Sequence, residues 1–143
     1  MFLGEYQHSL DTKGRIILPS KFRARLAQGC VLTRGQENCL SVYTTEDFEE
    51  ISARLRTAKQ SSPRRRNFVR LFFSGAHEEQ PDKQGRVMVP EPLRTYAQLT
   101  KDVTVIGAGT RFEIWDRVKW NEQQQQAEQE YRDLDFEDPE LDF

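Results

Sequence analysis

The chain has 143 residues, enough for one ordinary domain or two small ones folded together, and too few for an enzyme with separate cofactor and substrate domains. Hydrophobic residues are 36% and charged residues 31%, and the longest apolar runs are far too short to cross a bilayer, which predicts a soluble protein. The formal charge of -2 hides a division: residues 1–112 hold 18 Lys/Arg and 12 Asp/Glu, whereas residues 113–143 hold 3 and 11. A basic body therefore carries an acidic end. Its basic residues cluster at 11–34 and at 52–70, the second stretch holding seven and no acid. Such patches attract phosphate backbones over about a Debye length, although a solvated surface has the same composition. Met1-Phe2-Leu3-Gly4-Glu5-Tyr6 lacks the features of a secretory signal, so a cytoplasmic location is expected.

In chain order, residues 3–10 read as a strand, and Asp11 to Gly14 as a tight turn in which Asp binds the amides ahead of it and Gly supplies positive φ. Arg15 starts the returning strand. Ile16-Ile17-Leu18, apolar without alternation, predicts a strand covered on both faces. Pro19 is placed to open a short helix at its first position; Phe22 and Leu26 form its apolar stripe, Lys21, Arg23 and Arg25 point mostly elsewhere, and Gly29 ends it. Cys30 to Thr33 and Cys39 to Tyr43 read as strands joined by a turn containing Gly35. Thr44 or Thr45 then caps a helix reaching about Lys59. Gln60-Ser61-Ser62-Pro63 breaks the pattern, and a basic cluster, Arg64-Arg65-Arg66, leads into a helical stretch through Phe68, Leu71 and Phe72.

From there the chain repeats itself. Residues 11–23 align with residues 82–94 at an offset of 71, with five identical positions of thirteen and four more apolar in both. Phe2-Leu3-Gly4 faces Phe73-Ser74-Gly75. After a one-residue insertion, Val31, Gly35, Leu40, Val42, Tyr43 and Phe48 face Val103, Gly107, Phe112, Ile114, Trp115 and Trp120. A unit of that size buries little core alone, so the copies are expected to pack against each other as one pseudo-twofold body. The organisation read from this is a first repeat at 1–59, a basic connector at 60–72, a second repeat at 73–122 and a Gln/acid-rich tail at 123–143. Gln123 to Gln129 suit a prolonged last helix, whereas the acids and Pro139 of residues 133–143 predict fraying or disorder.

Little here suits catalysis. His8 and His77 are the only histidines, and no Cys/His cluster, phosphate loop or dinucleotide fingerprint is present, so no enzyme, cofactor, metal or small-molecule substrate is expected. Cys30 and Cys39 read as core or strand residues. Asp11 and Asp82 occupy matching positions and raise the idea of an aspartic dyad. Each, however, stands four residues before an Arg across a Gly turn, which turn capping and local pairing explain. Those turns suggest recognition instead. A two-stranded ribbon can enter the major groove of double-stranded DNA, with Lys13, Arg15, Lys83 and Arg86 as contacts to phosphates and guanine, shaped by Asp11, Gly14, Asp82 and Gly85. Lys21, Arg23 and Arg25 are candidate phosphate contacts. The alternative, that Arg15 and Arg86 only brace the fold against Asp11 and Asp82, stays open.

The opening Met1-Phe2-Leu3-Gly4-Glu5-Tyr6, the turns Asp11-x-x-Gly14-Arg15 and Asp82-x-x-Gly85-Arg86, and Arg111-Phe112-Glu113-Ile114-Trp115 resemble the MraZ family over nearly everything up to Trp120. The resemblance implies an α+β, mainly β fold of two tandem AbrB-like swapped-hairpin β-barrel repeats with short helices, assembled as a homo-oligomeric ring. It also implies a bacterial transcription regulator that binds direct repeats upstream of the cell-division and cell-wall gene cluster containing its own gene, in the nucleoid. In the family the Asp-x-x-x-Arg turns are implicated in DNA contact, which carries over onto Asp11, Arg15, Asp82 and Arg86. One departure is that Gln84 stands where copy one has Lys13, with Lys83 a position earlier, so unequal roles are expected for the two turns. The competing class is a non-catalytic oligomeric adaptor or nucleoid-associated protein without strong base preference. The acidic tail suggests a competitor with DNA for the basic body.

Overall fold

The computed structural model describes residues 1–134 and 139–141; residues 135–138 and 142–143, on which part of the expected tail disorder falls, lie outside the described residues. Copy one runs β1 (Glu5–Ser9), β2 (Arg15–Ile17), α1 (Ser20–Leu26), β3 (Cys30–Arg34), β4 (Leu40–Thr44) and α2 (Thr45–Thr57). Helix α3 (Pro63–Ser74) follows. Copy two repeats the order as β5 (His77–Glu79), β6 (Arg86–Met88), α4 (Glu91–Tyr96), β7 (Asp102–Gly107), β8 (Phe112–Asp116) and α5 (Arg117–Asp133). The punctuation acts as the residue types dictate. Thr44 caps α2 by accepting from the Asp47 amide, and Ser62 caps α3 with Pro63 in its first turn.

The copies exchange strands. In the six-stranded sheet, ordered β1-β7-β8-β4-β3-β5, β1 pairs with β7 and β5 with β3, so the first strand of each copy lies against the other copy. β4 and β8 join the halves at the centre, with Leu40 opposite Ile114. A separate two-stranded ribbon pairs β2 with β6, Ile16 opposite Val87.

Side chains alternate across each strand, which divides the sheet into two faces. One face, with Leu32, Leu40, Val42, Val105, Phe112 and Ile114, packs on Ile16 and Val87 of the ribbon and on Phe22 and Leu93 of the short helices. Phe2 meets Phe22 and Phe112 edge-on, with ring centres 4.9 and 5.2 Å apart. Burying each such ring contributes about 1.5–3 kcal/mol. The other face, with Val31, Tyr43 and Trp115, carries α2, α3 and α5. There Phe72 lies parallel to Phe48 and Phe68, Thr33 Oγ1 donates to the Phe72 carbonyl, and Trp120 leans on Trp115.

Several sequence expectations change. Ile17 is 45% exposed, so β2 is covered on one face only; the unbroken apolar run misled because Ile16 and Leu18 alone face the core. The β3–β4 turn does contain Gly35, as expected; its left-handed residues are Glu37 and Asn38, and Gly35 serves close approach, since a Cβ there would stand 2.7 Å from Cys39 Sγ. Pro19 precedes α1 as its cap. Helices also hold more of the described chain than strands do, with α2, α3 and α5 running 13, 12 and 17 residues.

Candidate nucleic-acid interface

The ribbon carries both turns. Because β2 and β6 are antiparallel, with Arg15 opposite Met88 and Arg86 opposite Ile17, the two turns sit at opposite ends, and the period of two places both arginines on the outward face. Ile16 and Val87 face inward and are fully covered. Diagonal neighbours of this kind lie about 7–8 Å apart.

The turns are built alike. Asp11 Oδ1 accepts from the Lys13 and Arg15 amides, each at 2.9 Å, and Oδ2 accepts from Arg15 Nε at 2.8 Å. Asp82 accepts from the Gln84 and Arg86 amides and from Arg86 Nε at the same distances. Gly14 and Gly85 complete the turns at φ 81° and 76°, where a side chain would be strained. Each aspartate is held below the usual carboxylate range, first by the amide of its arginine and then, against an opposing effect of burial, by the guanidinium and the second turn amide. A proton-sharing dyad would raise one carboxyl. Both are lowered, and each keeps its own arginine, so the dyad is discarded.

Bracing and recognition are compatible here. Only Nε of Arg15 and Arg86 is held by aspartate; among the described residues no hydrogen bond engages their terminal nitrogens. An end-on pair of N–H donors is what a guanine edge requires. Lys13 and Lys83 are exposed at the turn tips, one position apart in the alignment, so the cation shifts around the turn between copies.

The copies lock each other's turns. Arg94 of α4 lies against Gly14, where a Cβ would collide with its Nη1, and the Val89 amide donates to the Gly14 carbonyl at 2.9 Å. In mirror fashion a Cβ at Gly85 would stand 2.6 Å from Arg23 Nε, and the Leu18 amide donates to the Gly85 carbonyl at 2.8 Å. Arg23 also donates from Nε to the Leu18 carbonyl, and Arg94 to that of Val89. The sequence reading missed Arg94, although its alignment with Arg23, one of the five identities, was the signal. Lys101 lines a depression beside the first turn with Asp11 and Arg94. Of the other candidates, Lys21 is exposed on α1, whereas Arg25 lies 4.5 Å over the Phe2 ring and 3.9 Å from Asp47.

The remaining reactive groups lie apart from the ribbon. His8 and His77 stand on the two edge strands of the sheet. Burial, then repulsion from Arg23 and Arg117, lowers the His8 pKa. Burial pushes the Cys30 and Cys39 thiols up to about 12. Among the described residues no group of three His, Cys, Asp or Glu side chains could hold a metal ion, and no helix is long and apolar enough to cross a membrane.

A family model described as "MraZ protein, putative antitoxin-like" matches residues 1–71 and again residues 72–138, in agreement with the internal duplication. The chain is 59% identical over 121 residues, 85% of each chain, to the "Transcriptional regulator MraZ" of Micrococcus luteus. Proteins of the same name from Kocuria rhizophila and Paenarthrobacter aurescens are 50% and 53% identical, over 96% and 94% of each chain. Two family matches laid end to end over a duplicated fold, with relatives sharing half or more of their aligned residues, establish that this chain belongs to the MraZ family.

Proposed function

We propose that the chain is a sequence-specific DNA-binding transcriptional regulator, and not an enzyme, whose reading elements are the Asp-x-x-x-Arg turns at the ends of the β2–β6 ribbon. The supporting observation is that two turns of matched geometry, at opposite ends of the ribbon, place Arg15 and Arg86 diagonally on one outward face. In this reading Arg15 and Arg86 contact base edges, Lys13 and Lys83 contact phosphates, and Asp11, Gly14, Asp82 and Gly85 fix the turns. Lys21 is a further phosphate contact. Arg23, with Arg94, positions the opposite turn. Arg25 acts more weakly, its guanidinium being partly engaged by Phe2 and Asp47.

The exchanged strands support reading the sheet and ribbon as a swapped-hairpin barrel about a pseudo-twofold axis. Its repeats are residues 1–59 and 73–122, joined by 60–72 and followed by a tail at 123–143. One ribbon offers few contacts for tight specific binding, so a ring of copies engaging successive direct repeats, upstream of the chain's own cell-division and cell-wall gene cluster, would supply the effective concentration. The protein would then act in the cytoplasm at the nucleoid.

Fluorescence anisotropy at about 0.15 M salt, where nonspecific attraction is partly screened, tests this with DNA from upstream of the chain's own gene against scrambled DNA. The expected result is a strong preference for the native DNA that Arg15→Ala removes. Equal weak binding to both, unchanged by the substitution, would make Arg15 a brace and favour a non-catalytic adaptor.

A further inference from the structure

On the sheet face away from the ribbon, α3 and α5 enclose a groove of about 530 Å3. Phe68 and Leu71 of α3, Tyr43 and Trp115 of the sheet, and Trp120 and Ala127 of α5 line it. Its size is that of pockets that seat apolar groups of a ligand or peptide. Phe68 is 46% and Leu71 52% exposed, so apolar surface stands open to solvent at its rim. Charge adjoins it. Arg64 and Arg65 precede Phe68 by four and three residues, which sets them one turn away on the same side of α3. Among the described residues neither guanidinium has a hydrogen bond or ion pair; only the Arg65 amide is engaged, by the Ser62 cap.

The far end of α5 is the reverse of this surface. From Glu128 through Leu134 every residue is exposed, including Tyr131 and Leu134, so the helix carries the chain beyond its own groove. Residues 134–143 read Leu-Asp-Phe-Glu-Asp-Pro-Glu-Leu-Asp-Phe: the triplet Leu-Asp-Phe occurs twice, and the segment holds five acids and no Lys or Arg. Aromatic and aliphatic side chains interleaved with acid suit a groove whose aromatic lining balances Arg34 and Arg111 against Glu37 and Glu113 and continues along α3 to Arg64 and Arg65.

We infer that the groove seats residues 134–143 of a second copy of the chain, with Leu and Phe side chains of the repeated triplet between α3 and α5 and the acids toward Arg64 and Arg65. Donor and acceptor surfaces differ, so the contact runs head to tail and closes into a ring when the rotation allows. This rests on the oligomeric reading above and specifies where its subunits meet. It also gives the acidic tail an occupation away from the ribbon, on the opposite face of the sheet.

The chain carries its own reporter, because both of its tryptophans, Trp115 and Trp120, line the groove and residues 134–143 contain none. The receptor is the full chain carrying Phe136→Ala and Phe143→Ala, and the probe is a synthetic peptide of residues 134–143. Saturable change in tryptophan fluorescence is expected, weakened about tenfold by Arg64→Glu with Arg65→Glu in the receptor and weakened by added salt. Light scattering should show a larger particle for the unaltered chain than for the Phe136→Ala, Phe143→Ala chain. A scrambled peptide that binds equally well, or no fluorescence change at millimolar peptide, overturns the seat. Assembly that survives both Phe substitutions overturns it too and leaves the oligomeric reading intact. An unaltered chain that is monomeric at every concentration overturns both.

Discussion

Arg15 and Arg86 each commit Nε to the turn aspartate, and among the described residues no hydrogen bond engages their terminal nitrogens. In the proposed interface, Arg15→Ala should cost about 1–3 kcal/mol of specific affinity and relax the base preference at one position, whereas Lys13→Ala should weaken all sequences alike and lower the salt slope by about one. Competition binding at two salt concentrations separates these outcomes. The aspartates make a pH prediction. Their folded pKa values lie below 3.8, so the stabilisation they supply is fully present above that value and is lost as pH falls through the folded values, where the unfolded chain takes up protons first. Wild type should therefore lose melting temperature on acidification through pH 3.8 more steeply than an Asp11→Asn, Asp82→Asn double variant. Equal slopes by calorimetry would show that the aspartates do not contribute this linkage.

At the scale of elements, each turn depends on the opposite copy's helix. Gly14→Ala combines positive φ with a collision against Arg94, and the backbone strain alone is about 1–2 kcal/mol. Adding Arg94→Ala should recover the collision but not the strain, so the double variant should sit between Gly14→Ala and wild type in urea unfolding once the cost of Arg94→Ala alone is subtracted. The helical layer has its own keystone in Phe72, 8% exposed between the parallel rings of Phe48 and Phe68. Phe72→Ala should cost about 3–5 kcal/mol by the same measurement, less if Phe68 collapses into the space. Under the sheet, thiols pushed up to about 12 by burial leave little thiolate at pH 8. Disulfide-exchange reagents should accordingly label Cys30 and Cys39 only as fast as the chain opens.

For the whole molecule, strand exchange makes the copies interdependent. Residues 1–59 alone would leave β3 without β5 and β1 without β7, and a unit of that length buries too little core to compensate. Expressed separately, residues 1–59 and 60–143 should each lack the cooperative melting of the full chain and regain it on mixing, by circular dichroism. A cooperative melt of the first half alone would refute the interdependence.

Much of this was legible in the residues. Asp-x-x-Gly-Arg specifies its turn locally, because the carboxylate, the two amides and the glycine's positive φ all lie within five residues; the caps at Thr44 and Ser62 and the repeat itself are equally local. Ile17 was not legible, since an apolar run does not say which member faces water until a partner strand covers one side. Neither the role of Arg94, nor the placing of both arginines on one face, nor the groove between α3 and α5 follows from local pattern. These were decided by pairing between residues far apart in the chain, where the register of β2 against β6 and the exchange of β1 and β5 fix what each copy lends the other. The sequence by itself determined the turns, the caps and the duplication, because their interactions close over a few residues or recur at a fixed offset; the tertiary structure alone decided how two modest units combine into one outward arginine face and one open groove, because that depends on long-range burial.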